Sequence, residues 1–219
     1  MSHVVILSHA MLLAALSVAA EPALAHGEEP TQRARESASD QPAADSPALK
    51  VVREAVDAAL AVLKDPSLKK DPEQRKRRLR EAVDPAFDWE AMARSSLGQH
   101  WRGLDSKQRS EFISVFKELL AREYLTDIDR FQGSEQIEIK GSEKRGDLEV
   151  VKTMLITASR DKVPIDYTLH EATPTWRVED VAVEGVSLVA HYRATLSRFL
   201  VNNDFPALMR QLKRKLGMS

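Results

Sequence analysis

Residues 176–193, WRVEDVAVEGVSLVAHYR, decide the fold. Trp176 and Val178 alternate with charged neighbours as in a half-buried strand. Val181 and Val183 resume the alternation one residue out of phase, which places a β-bulge at Glu179-Asp180. Gly185 ends the strand, and Ser187 is positioned to cap a helix that carries Leu188, Tyr192, Leu196, Phe199 and Leu200 at helical spacing. A sheet is therefore handed over to a helix within eighteen residues.

Upstream, VPIDYTLHE alternates with Val163, Ile165, Tyr167 and Leu169 on one face, and EQIEIKG and DLEVVKTMLIT read as two further strands joined across SEKRG. Helices precede them. Ser46-Pro47 starts one that carries Leu49, Val52, Val56, Leu60 and Leu63. Asp71-Pro72 starts the next, with Gln74 set to close a capping box, and Asp88 caps a third that bears Met92 and Leu97. Asp105, answered by Gln108, opens the strongest stripe: Phe112, Phe116, Leu119, Leu120, Tyr124, Ile128 and Phe131, ending near Gly133. After Asn202-Asn203-Asp204 a last helix carries Leu208, Leu212 and Leu216. The expectation is an α+β fold: a four-stranded antiparallel meander with one face covered by the 105–131 and 187–200 helices, an N-terminal helical lobe and C-terminal helices.

The first 47 residues differ from the rest. AMLLAALSVAA, residues 10–20, is too short for a bilayer span and is followed by Ala23-Leu24-Ala25, so residues 1–25 are expected to be a signal peptide cut between Ala25 and His26. Residues 26–47 hold almost no large apolar side chain and are expected to form a disordered, mildly acidic tether, leaving residues 48–219 as a single domain. That remainder carries 30 basic and 27 acidic residues, an excess of three that gives no support to nucleic-acid binding. RKRRLR at 75–80 reads as a solvated helix face. The absence of cysteine excludes disulfides and thiol chemistry.

Catalytic patterns are weak. Ser187 and His191 lie four apart with Asp180 nearby, so a Ser/His hydrolase centred on Ser187 is the alternative, but there is no G-x-S-x-G elbow and a serine at a helix start is far more often a cap. His100 and His170 stand alone in sequence, no zinc-type histidine spacing occurs, and no metal or cofactor is expected. The chain has instead a surplus of apolar wall. A ligand cavity and an ordinary core look alike in sequence, because both are apolar faces of amphipathic elements.

Residues 87–124, FDWEAMARSSLGQHWRGLDSKQRSEFISVFKELLAREY, together with VPIDYTL (163–169) and WRVEDVAVEGVSLVAHYR, resemble the MlaC, or toluene-tolerance, family of periplasmic phospholipid-binding proteins. The most specific pieces are Leu97-Gly98 before Trp101-Arg102, Gln108-Arg109 before Glu111-Phe112, and Trp176, Asp180, Glu184-Gly185-Val186-Ser187 and Tyr192-Arg193 in that order. The sequence departs from the family pattern at Glu179, where an aromatic is common, and at His191, where Asn is common. The resemblance implies an NTF2-like sheet-and-helix fold and a monomeric periplasmic carrier without catalysis. Its cargo would be glycerophospholipid, shuttled between an outer-membrane lipoprotein complex and an inner-membrane ABC transporter complex; a hopanoid-type lipid is the alternative cargo. The expected acyl-chain cavity draws Leu97, Trp101, Phe112, Phe116, Leu119, Leu120 and Tyr124 from the helices before the sheet. Met154, Ile156, Tyr167, Trp176 and Val183 would come from the strands, and Val186, Leu188, Tyr192 and Leu196 from the corner and helix after them.

Overall fold

The computed structural model describes residues 46–125 and 133–218, without the side chains of 123–125. The expected signal peptide, nearly all of the tether, Ile128, Phe131 and the Tyr124 side chain lie outside the described residues. Among the described residues, six α-helices and five strands follow in the order α1 (Pro47–Lys64), α2 (Pro72–Val83), α3 (Trp89–Leu97), α4 (Ser106–Leu125), β1 (Gln136–Arg145), β2 (Leu148–Ile156), β3 (Lys162–Ala172), β4 (Thr175–Val183), β5 (Val186–Ser187), α5 (Leu188–Leu200) and α6 (Phe205–Leu216).

The helix starts are set by side-chain caps that accept from otherwise unpaired backbone N–H groups. Ser46 Oγ accepts from Leu49 N at 3.0 Å, Asp71 from Gln74 N at 2.9 Å, and Asp88 from Ala91 N and Asp204 from Ala207 N at 2.8 Å each. At α4 the box is reciprocal: Gln108 N donates to Asp105 at 2.8 Å, and Asp105 N donates to the Gln108 side chain at 3.0 Å.

The strands form one antiparallel sheet in the order β1-β2-β3-β4-β5. The meander is as expected, with one strand more. Glu184 (φ 52°) and Gly185 (φ 81°) form a two-residue turn, and Val186 and Ser187 fold back on Val183 and Ala182 as a short fifth strand. Two consecutive positive φ values give the turn that matches strand twist in a tight hairpin. The expected bulge is present: Thr168 pairs with Asp180 and Leu169 with Val178, so Glu179 is the extra residue. A second bulge leaves Lys140 unpaired in β1, between Ile139 and Gly141.

The covering of the sheet differs from expectation. The helix lying across β1 to β4 is α1, while α3 and α5 pack against β4. The main packing partners of α4 are α3 and α6. Its stripe is consumed by other helices: Phe112 stacks on Phe116 at 5.6 Å and meets Phe205 at 6.2 Å, and Phe116 meets Tyr192 edge-on at 5.3 Å. A stripe this bulky suits a helical bundle core. The smaller side chains of α1 let a helix lie close on a sheet.

Candidate functional site

Where α1 crosses the sheet, the two layers leave an apolar cavity of about 230 Å³. One wall is Val52, Ala55, Val56, Ala59 and Leu63 of α1; Leu79 and Val83 of α2 close one side, with Ala86 and Phe87 next to them. Ile137, Tyr167 and Val178 form the floor. Apart from the Tyr167 hydroxyl, no lining side chain carries a polar atom. A dry apolar void of ~150 Å³ already accepts small apolar molecules, so the larger space here is suited to hydrocarbon. Burial pushes the Tyr167 hydroxyl up to about 12, so it stays neutral at ordinary pH and adds no charge to the space.

Buried polar groups fix both ends of α1. At the N-terminus Ser46 Oγ donates to Glu149 of β2, whose side chain is almost completely buried and whose second carboxylate oxygen has no hydrogen-bond partner among the described residues. At the C-terminus Arg75 of α2, 4% exposed, donates to the Leu63 carbonyl at 2.7 Å. A carboxylate at the positive end of the helix dipole and a guanidinium at the negative end are each the favourable sign. Phe87 is held against β4 by the Asp88 N to Val178 O hydrogen bond (2.8 Å) and stacks on Trp89 at 4.9 Å.

Of the residues expected to line a cavity, Tyr167 lines this one. Leu97, Trp101, Phe112, Phe116, Leu119, Leu120, Tyr192 and Leu196 belong to the close-packed core that α3 to α6 share. Leu188 is buried at the start of α5, and Val183 is buried on the same sheet face as Tyr167. Trp176 shares that face two residues from Val178, towards the β3–β4 turn. Met154 pairs with Pro164 and Ile156 with Lys162, which puts both on the opposite face, and Val186 is 47% exposed. The residues missed are the α1 wall, Leu79 and Val83 of α2, Ala86 and Phe87, and Ile137 and Val178 of the floor. For α1 the signal was the run AVDAALAV, 55–62, whose small side chains create room where larger ones would fill it.

The serine has a structural role. Ser187 Oγ donates to Asp180 and accepts from Ala190 N at 3.0 Å, capping α5. Asp180 also accepts from Val189 N at 3.1 Å and Val181 N at 2.8 Å, so its carboxylate ties the bulge to the helix start. The hydroxyl proton is directed to a carboxylate, not to a histidine base, and His191 packs edge-on against Tyr192. His170, isolated in sequence, sits between Asp88 (3.2 Å) and Glu179 (3.0 Å).

The sequence model of the family described as MlaC protein matches residues 53–214. A phospholipid-binding protein from Ralstonia solanacearum, solved in complex with a phospholipid, is similar in structure with a TM-score of 0.71. It is 22% identical, and the alignment covers 78% of this chain and 97% of that one, a likeness of fold. No curated protein matches the sequence. With most of its length matched by the family model, the chain belongs to the MlaC family.

Proposed function

We propose that this MlaC-family chain is a periplasmic lipid carrier that holds phospholipid acyl chain between α1, α2 and the sheet. In this reading it is cut between Ala25 and His26, acts as a monomer, and shuttles cargo between an outer-membrane lipoprotein complex and an inner-membrane ABC transporter complex. The observation that carries the reading is the apolar cavity built from small side chains, in a fold shared with a protein solved with phospholipid. The use of Ser187 and Asp180 as a helix cap supports binding without catalysis.

Size sharpens the reading. A methylene occupies about the volume of a water, ~30 Å³, so 230 Å³ holds roughly seven of them. At ~0.8 kcal/mol per buried CH₂ that portion gains about 6 kcal/mol against water. A full acyl chain is longer, so this space holds only part of one. Because a bilayer is as apolar as the cavity, net transfer is near neutral and the partners set its direction.

Native mass spectrometry of the gently purified protein tests this. Co-purifying mass equal to a phospholipid is expected, and a hopanoid mass would reassign the cargo. Protein that is empty and also takes up no lipid from vesicles would sink the carrier reading.

A further inference from the structure

The charge of residues 48–219 is nearly balanced, but it is not evenly spread. α2 carries five basic residues against two acidic, and α6 four against none, while the rest of that range holds 21 basic against 25 acidic. The two basic helices meet across α4 at a groove of about 360 Å³. Lys76, Arg77 and Arg80 of α2 form one bank, and Arg122 of α4 and the end of α6 at Leu216 and Met218 form the other.

Four cations in this groove face two carboxylates. Arg80 pairs with Glu118 and Lys76 with Glu73, whereas Arg77 is exposed and has no partner among the described residues. Arg210 and Arg214 extend the exposed positive surface along α6. The groove also has an apolar margin: Leu216, and Met218 at 41% exposure beyond the glycine that ends α6. Cations beside an exposed thioether suit the headgroup boundary of a bilayer, where phosphates meet the first methylenes. The charge spans two helices, more than one small anion would engage.

We infer that this groove and the adjoining α6 surface dock the protein on an anionic phospholipid bilayer, with lipid phosphates seated among Lys76, Arg77, Arg80 and Arg122. α2 is shared between this surface and the cavity: Leu79 and Val83 line the apolar space, and the basic side chains of the same helix line the groove. Docking would bring the cavity to within one helix of the membrane. The inference does not depend on what fills the cavity.

The test is co-sedimentation of the chain from His26 onward with vesicles of phosphatidylcholine, alone or mixed equally with phosphatidylglycerol. Binding to the mixed vesicles is expected to exceed binding to phosphatidylcholine by about tenfold or more and to weaken as salt is raised. Arg77→Glu with Arg214→Glu should remove that preference. Lys144→Glu with Lys162→Glu, an equal charge change at exposed positions of the sheet, should retain it. Equal loss in both pairs, or no preference in the parent protein, overturns the inference. So does displacement by inorganic phosphate at constant ionic strength, which would mark a site for the free anion. Binding of polyglutamate but not of vesicles would assign the groove to an acidic polypeptide and also overturn it. Lipid occupancy by mass spectrometry should be the same in both variant pairs. An empty parent protein would count against the carrier and leave the docking result standing.

Discussion

The chain builds two apolar regions of opposite character. Between α3, α4, α5 and α6 the side chains are large and close-packed, with Phe112, Phe116 and Leu97 essentially excluded from solvent. Between α1, α2 and the sheet the facing residues are mostly Ala, Val and Leu, and a cavity remains. Both regions are amphipathic and look apolar in sequence. What separates them is side-chain volume relative to the space the backbones leave. The helical core supplies stability, and the α1 layer supplies room.

The largest test of that contrast is truncation in the core. Phe112→Ala should cost about 3–5 kcal/mol in urea unfolding and leave the lipid occupancy of the folded fraction unchanged. A cost below about 1 kcal/mol would show the helical region to be loosely packed too.

The next test reads the cavity by its one polar group. Tyr167 loses its proton near 10 when unfolded and at about 12 when folded. The folded state therefore keeps the proton longer. Its contribution is intact below pH 10 and is lost as pH rises from 10 through 12, by roughly 2 kcal/mol. Tyr167→Phe should flatten that part of the stability–pH curve. An identical fall in the variant would place the hydroxyl in a wetter setting.

Enlarging a side chain should separate the regions directly. Leu120→Trp, in the core, should cost about 1–3 kcal/mol through overpacking. Ala59→Trp, in the cavity wall, should empty the protein of lipid while changing the delipidated protein's stability by less than about 1 kcal/mol. Delipidation must be matched, because cargo bound to the folded state raises apparent stability. If Ala59→Trp unfolds the protein, the cavity is core.

The smallest effect is expected at Ser187. Ser187→Ala removes the α5 cap and should cost about 1 kcal/mol with lipid occupancy intact. Loss of a measurable esterase activity at unchanged stability would revive the hydrolase reading.

Much of the fold was legible because it is written locally. Ser46, Asp71, Asp88, Asp105, Ser187 and Asp204 each cap the helix that their position announced, and the phase slip between Val178 and Val181 gave the bulge at Glu179. The fifth strand was missed because two residues are too few to show a period. Which helix covers the sheet was not legible, since α1 and α4 both present an apolar stripe and only their side-chain sizes distinguish the partners. Reading cavity from apolar bulk pointed to Phe112, Phe116 and Tyr192, which belong to the buried helical core. Met154 and Ile156 lie in a run of β2 with too little alternation to fix their face, and the pairing with Pro164 and Lys162 settled it.

Glu149 and Arg75 give α1 a mechanical character. A helix held at both ends behaves as a beam on two supports. Load applied beneath it produces its greatest deflection at midspan, near Ala55 and Val56, and little at the supports. Releasing either support would convert the beam to a cantilever, soft at the freed end.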